Sequence, residues 1–430
     1  MLTKKRLVFL GILLVLFGFR LAFGLCKEFW FEDELQVYLI GLKFYTTGNF
    51  PYFGPDIVYT HTQIPGALQG LVVGLPFFIL HLPEAPYLLL NLLSMGALCL
   101  LALYFQKKFP QVPYWFTWLW LLSCPWTLNY STHIINPSYV LFGAVLFFIG
   151  FFESVPKLSI GFIKTHIAFF LMGFSLFWIY QFHMSWILLL PFIALAFFLK
   201  RHELKSSILP FFIGSLMSAA FLIPTFWVYG FHSGSTSVSS NVVFNVENIK
   251  DIFTVLTRFL SFASYELPRF LNMENKSFFA FLMEHPFAAP FIAFVAFFGI
   301  VQVGYLIIAF FLKNAAKDFA WIKYITATAV FITYLSFFFS VKGPSAHTYY
   351  ILFPLAMMYS FYCWQALFSK RWFRALMMTM LLSGFITSGV VMHINYQKSS
   401  MYKTRSIPLK AIQEKDYKIL GERRSYDKNP

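Results

Sequence analysis

Apolar runs long enough to cross a lipid bilayer recur along almost the whole chain. The hydrocarbon core of a bilayer is about 30 Å thick, and a helix needs roughly 20 apolar residues to traverse it. Such runs fall near residues 7–25, 64–82, 86–105, 113–130, 138–152, 160–178, 185–199, 207–229, 287–312, 323–341, 346–366 and 372–395. Inside a bilayer the backbone has no water to bond, so a spanning chain must close its hydrogen bonds within helices or a sealed barrel. Runs of this length read as helices. The expected fold is an all-α integral membrane protein, with one polytopic domain over residues 1–395 and a basic tail over 396–430. Only 12% of the 430 residues are charged while 59% are hydrophobic, which excludes a soluble globular enzyme and a disordered chain.

Loop charges set the orientation, because Lys and Arg collect on the cytoplasmic side. Lys4-Lys5-Arg6 precedes the first run. That run is long, contains Arg20 and is followed by no small-residue cleavage site; Leu25 before Cys26 disfavours a lipobox. It reads as an uncleaved anchor with a cytoplasmic N-terminus, in a multi-pass protein of a bacterial inner (plasma) membrane. Lys107-Lys108, Lys157, Lys200-Arg201, Lys313 to Lys323, and Lys370-Arg371 with Arg374 then alternate with weakly charged loops. The alternation fails at one place. Run 7–25 goes out and run 86–105 must come in, so 64–82 does not cross. It is broken by Pro65, Gly66, Gly70, Gly74 and Pro76, which suits a juxtamembrane or re-entrant element. About eleven spans result, within a range of about 10–13, with large outer loops at about 26–63 and 230–286. Parity puts the tail outside, whereas its many Lys and Arg residues argue for inside.

The net charge of +15 comes from 33 basic and 18 acidic residues. In a soluble protein it would suggest nucleic acid. Here basic loops against anionic membrane lipids account for it, and so does an anionic, phosphate-bearing lipid substrate. No nucleic-acid partner is expected. The four cysteines form no CxxC pair and no zinc spacing.

Acidic residues are scarce, yet Glu32-Asp33-Glu34 are adjacent, just after the first span and beside Phe29-Trp30-Phe31. An interfacial charge cluster next to an aromatic belt is one reading. A carboxylate acting at the membrane surface as general base or metal ligand is the other. His61, His133 and His183 stand at span ends, where single histidines often serve as interface hydrogen-bonders. Lys342 has a bland reading as a snorkelling span anchor, Tyr349-Tyr350 as aromatic belt, and Asn136-Pro137 as a helix start. Arg20 would snorkel or pair with a core carboxylate. The 58 Phe residues suit lipid-facing and core packing.

The context of the acidic triad is more specific. Asp33-Glu34 is followed by Tyr38, by Gly48-Asn49-Phe50-Pro51, and by Tyr59-Thr60-His61-Thr62-Gln63-Ile64-Pro65-Gly66. This resembles the first external loop of GT-C superfamily glycosyltransferases, in the branch of protein O-mannosyltransferases and lipid A aminoarabinose transferases. The paired prolines of that family are Ile64-Pro65-Gly66 here, a departure. Asn129 to Ser138, containing His133 and Asn136-Pro137-Ser138, resembles an Asn-Pro-Ser variant of the second motif, without the Asp many relatives carry. Tyr180-Gln181-Phe182-His183 resembles the Gln-x-His segment of bacterial members. Gly343 to Pro354, with His347 and Tyr349, resembles the late basic-residue, Tyr and Pro motif.

The resemblance implies a GT-C bundle that moves a sugar, usually with inversion, from a polyprenyl-phosphate donor to an acceptor on the outer face. A lipid or envelope glycan acceptor is preferred to a protein. Asp33 would be the general base, partial desolvation and its acidic neighbours raising its pKa, with Glu34 as second choice. A lipid-phosphate leaving group needs positive charge and hydrogen bonds. Lys342, His347, Arg269 and Arg258 would supply charge, and Tyr349 a hydroxyl. His61, His133, His183, Asn136 and Tyr38 would line the donor site through their motifs. No cofactor is required, and a divalent cation is left open. Two other readings stand beside this one. A lipid or sugar transporter would carry inverted repeats and paired broken spans, of which only one broken segment is visible. A polysaccharide polymerase would act through an Arg-based loop, for which Arg258 and Arg269 are candidates.

Overall fold

The computed structural model describes residues 4–26, 32–57, 62–230, 244–265, 271, 277–312, 317–340, 343–399 and 401–421. Among them, seven helices are long and apolar enough to cross a membrane: Arg6–Leu25, Ala85–Lys108, Asn136–Ser154, Arg201–Tyr229, Ala289–Phe311, Asp318–Phe337 and Arg371–Gln397. The protein is therefore a helical, membrane-embedded chain. Helix α1 covers Lys4–Leu25. The end of the bundle at which it begins is called the basic end here, because Lys107, Lys108, Lys200 and Arg201 lie in the turns on that side; the other is the distal end.

The first distal segment is not a plain loop. Helix α2 (Glu32–Thr47) runs into strands β1 (Phe53–Ile57) and β2 (Thr62–Pro65), an antiparallel hairpin that pairs Phe53 with Pro65 and Asp56 with Gln63. The hairpin is a small two-stranded addition to an otherwise helical chain among the described residues. Helix α3 (Leu68–Ile79) follows. At about 1.5 Å per residue its 12 residues reach about 18 Å, too short to cross. It packs along α2, and the two backbones meet at glycines. A Cβ on Gly74 would lie 2.6 Å from the carbonyl oxygen of Gly41. Helix α3 also exposes Leu75, Phe78 and Ile79, as suits a helix lying at a membrane surface.

Helix α4 (Ala85–Lys108) then runs from the distal to the basic end. The apolar run near 113–130 is a broken helix, α5 (Tyr114–Ser123) and α6 (Pro125–Tyr130). Pro125 has no N–H to continue α5. Arg20 of α1 serves the break. Its Nη1 donates to the Leu122 carbonyl at 2.9 Å and to Thr127 Oγ1 at 3.0 Å. Arg20 is fully buried. It does not snorkel, and among the described residues its partners are this backbone and Thr127 rather than a carboxylate: freed carbonyls at a helix break are acceptors a guanidinium fork can fill.

Helices α7 (Val140–Ser154), α8 (Thr165–Tyr180), α9 (Leu190–Leu199), α10 (Leu204–Ala219) and α11 (Ile223–Tyr229) follow, with α8 packed between α7 and α10. From sequence the stretch Asn248 to Phe270 reads as helical; among the described residues the helix is shorter. A 3-10 turn leads into α12 (Ile252–Ser261), and the chain leaves helix before Tyr265. Helices α13 (Phe278–Glu284), α14 (Ala289–Phe311), α15 (Lys317–Phe337), α16 (Phe353–Trp364) and α17 (Arg371–Ser399) complete the bundle. Buried Trp120, Trp126 and Trp364 centre an aromatic core, Trp120 and Trp364 lying 5.4 Å apart.

The C-terminal segment is no loose tail. Helix α17 runs through the 395/396 boundary, and α18 (Met401–Thr404) and α19 (Ser406–Gln413) lead back over the distal end. Arg405 binds Glu84, which precedes α4, through Nε–Oε1 at 2.5 Å and Nη2–Oε2 at 3.1 Å. Lys43 of α2 lies 5.8 Å over the Tyr417 ring. The tail and α2 thus share one end of the molecule.

Candidate functional site

Glu34 organises the distal end. It sits in the first turn of α2 and is buried. Its Oε1 accepts from the Tyr87 hydroxyl of α4 at 2.9 Å and from the Ile134 amide at 2.9 Å. One turn along α4, on the same face as Tyr87, Asn91 donates to the Thr132 carbonyl at 3.1 Å. Three elements distant in sequence are tied by these bonds, and the 131–136 loop is held against the start of α2. Asp33, one residue earlier, is exposed. Of the two, Glu34 and not Asp33 turns into the protein.

The other motif loops arrive at the same place. Asn136 accepts from Gln69 Nε2 of α3 at 3.2 Å. The β2–α3 turn closes on the 181 loop at Gly66, whose φ of +110° and lack of a Cβ both matter. A Cβ there would lie 2.6 Å from Gln181 Oε1. Gln181 Nε2 in turn donates to the Phe177 and Ser218 carbonyls, each at 3.0 Å. Ser131 and Tyr350 share a hydroxyl–hydroxyl bond of 3.0 Å. The imidazoles of His183 and His347 stand edge to face, 6.3 Å between centroids, with Tyr130 6.4 Å from His347. Each ring is oriented by a serine two residues away: His183 Nδ1 to Ser185 Oγ at 2.9 Å, His347 Nδ1 to Ser345 Oγ at 2.8 Å. Burial, then the neighbouring His347, pushes the His183 pKa down to about 3. His183 is therefore a neutral hydrogen-bonding group near neutral pH.

The sequence-selected residues divide accordingly. Asp33, Glu34, His133, Asn136, His183 and His347 come together on adjoining loops, with His133 fully buried in the 131–136 loop. Tyr38 and Tyr349 do not face outward. Tyr38 is buried against Phe77 and donates to the Pro83 carbonyl at 3.2 Å, its pKa raised by that burial. Tyr349 is packed between Phe262 and Phe337, at 5.5 and 5.9 Å. Both rings are fully buried in the core. Arg258 sits in the last turn of α12, half-buried, just before the turn whose Phe262 packs on Tyr349 and Tyr350. Lys342, Arg269 and His61 lie outside the described residues. Among the described residues no group of three or more His, Cys, Asp or Glu is arranged to hold a metal ion.

Tyr87, Asn91, Gln69 and the Gln36–Asp56 pair were not selected from sequence, although they build this end. Gln36 donates its side-chain amide to the Asp56 carboxylate and accepts from the Asp56 N–H at 3.3 Å, binding α2 to the hairpin. Asn91 and Gln69 did carry a signal: each is an isolated amide inside an apolar run, where a polar side chain needs a specific partner. Comparison with protein-family models, with curated proteins and with solved structures finds no match for this chain.

Proposed function

We propose that the chain is a membrane glycosyltransferase that moves a sugar from a polyprenyl-phosphate donor to an acceptor hydroxyl at the distal end. In this reading the fold is a GT-C-type bundle with the distal end outside. The seven long helices, with α5–α6, α8, the 184–199 segment and the 346–364 segment, would give eleven passes. The single observation that carries the proposal is the meeting of four motif loops at the end where Glu34 is buried and its neighbour Asp33 is exposed. The start of α2, the 131–136 loop, the 181–185 turn and the 345–350 turn adjoin one another, and Glu34 braces the first against the second.

Asp33 is the base in this reading. An acceptor hydroxyl must lose its proton as it attacks the anomeric carbon, and an exposed carboxylate can accept it from a substrate arriving at the membrane surface. Glu34 accepts two hydrogen bonds inside the fold and acts as a positioning residue. The departing lipid phosphate carries its own charge and needs donors rather than an acid. His347 and neutral His183 are the described donors nearest that role, with Arg258 a further cation on the same side.

The test is reconstitution. Purified protein in liposomes receives radiolabelled polyprenyl-phosphate sugars and a crude envelope extract, and wild type is compared with Asp33→Asn. Loss of a general base lowers transfer by about 10²–10⁴-fold while donor binding is retained. Equal transfer by both proteins removes Asp33 from the role, and absence of transfer by wild type across donors rejects the reading.

A further inference from the structure

A cleft of about 910 Å³ opens at the basic end, between the 155–164 loop and the turn joining α9 to α10. It lies on the opposite side of the bundle from Glu34. Lys164, His166 and Lys200 line it, together with Glu153 and Ser159. Glu153 is no ligand for a cation, because four donors already fill its oxygens. Oε1 accepts from Tyr104 and the Ile160 amide at 3.0 Å each, and Oε2 from Ser159 at 2.9 Å and the Phe162 amide at 3.0 Å. The surroundings are strongly basic. Lys107 reaches the Gly161 carbonyl at 3.4 Å, Arg201 stacks 5.0 Å over Phe198, and Lys157 and Lys205 are exposed nearby. Glu203 offsets part of this charge, 3.2 Å from Lys200.

Two further features select the kind of anion. Helix α8 starts in the cleft with no side-chain cap, and its first three residues line the wall, so backbone N–H groups add to the positive field. Ile163 and Ile167 stand directly beside the cations, and the apolar body of α8 begins at Ile167. The cleft therefore combines a phosphate-sized cluster of donors with an apolar ramp, at the depth where the bundle leaves the hydrocarbon. We infer that it holds the phosphate of an anionic phospholipid headgroup, with the acyl chains running along Ile163 and Ile167. Inorganic phosphate shares the headgroup chemistry but would gain nothing from the apolar residues.

The full chain, purified and delipidated in detergent, is titrated with phosphatidylglycerol or phosphatidylcholine. Retained lipid is read by native mass spectrometry and stabilisation by melting temperature. Wild type is expected to retain phosphatidylglycerol preferentially. Removing a lysine near an anionic headgroup should lower that retention about fivefold per lysine in Lys164→Gln and in Lys164→Gln/Lys200→Gln. Lys370→Gln/Arg371→Gln, a basic pair elsewhere on the same end, should keep it. Lys164 is exposed, so the single variant folds even if the double variant does not. Equal retention by wild type and Lys164→Gln overturns the site, as does a wild type without lipid preference. Millimolar inorganic phosphate giving the full stabilisation in phosphatidylcholine overturns the lipid as its source.

Discussion

Glu34 and Glu153 are buried near opposite ends of α4, and each accepts from a tyrosine of that helix: Tyr87 onto Glu34 at 2.9 Å, Tyr104 onto Glu153 at 3.0 Å. The two tyrosines stand about 25 Å apart along the helix axis. Glu153 closes its own neighbourhood, since three of its four donors come from residues 159–162. It is a local staple for one turn. Glu34 joins α2 to residue 87 and to residue 134, so it fixes the relative position of chain segments that have no covalent reason to meet. Beside it stands an exposed carboxylate and around it stand the other motif loops. The same residue type, similarly buried, thus builds a closed turn at one end and braces an open constellation at the other.

The sharpest way to break this comparison is to truncate both. Glu34→Ala strands the Tyr87 hydroxyl and the Ile134 amide, which should cost about 1–3 kcal/mol of stability. Transfer should fall by about 10²-fold per folded molecule, because a displacement of about 1 Å in the 131–136 loop is enough to misplace reacting groups. Glu153→Ala strands more donors and should cost about 2–4 kcal/mol, yet leave transfer per folded molecule near wild type. Unfolding in denaturant and reconstituted transfer measure the two quantities separately. Loss of transfer in Glu153→Ala beyond its loss of folded protein would erase the distinction.

A third measurement sharpens the distal end by pH. The folded pKa of His183, about 3, lies below its ordinary 6.5, so the unfolded chain takes up the proton first as pH falls. Stability is then untouched above about 6.5 and declines as pH drops from there toward 3. His183→Gln should remove that part of the acid slope. Melting temperatures of both proteins at pH 7.5 and 4.5 check it; parallel shifts would mean that His183 is open to water and already protonated at the lower pH.

The sequence made the membrane character plain, because about 20-residue apolar runs admit few folds. It also singled out the segment 64–82 as a non-crossing element, because the alternation of charged loops leaves no pass for it, and the helix there, α3, has 12 residues. What it did not reveal follows from long-range packing. Nothing local to Pro125 announces that Arg20 binds across the break it makes. Nothing in the acidic triad says which carboxylate turns inward; that choice belongs to Tyr87 and Ile134, far along the chain. Tyr38 and Tyr349 sat in motif positions, and only the packing of Phe77, Phe262 and Phe337 around them marks them as core.

The smallest effect concerns the tail, which lies at the Glu34 end. The Arg405–Glu84 pair is bidentate, but a third of the Arg405 side chain is exposed, so water screens it. Such pairs contribute about 1 kcal/mol or less. The same segment buries Ala411 and Ile412 in the core and carries the cation–ring approaches of Lys43 to Tyr417 and Lys415 to Tyr45, at 5.8 and 5.9 Å. Arg405→Ala should therefore leave the melting temperature almost unchanged while the segment after residue 399 opens more often. Limited proteolysis of vesicles reads this directly, because cleavage tracks the open population when reclosing is fast. Protease should cut the variant severalfold faster than wild type, and from the side on which an Asp33→Cys thiol is labelled by an impermeant reagent. Cleavage from the other side would separate the tail from α2 and, with it, the shared distal end on which the contrast between the two glutamates rests.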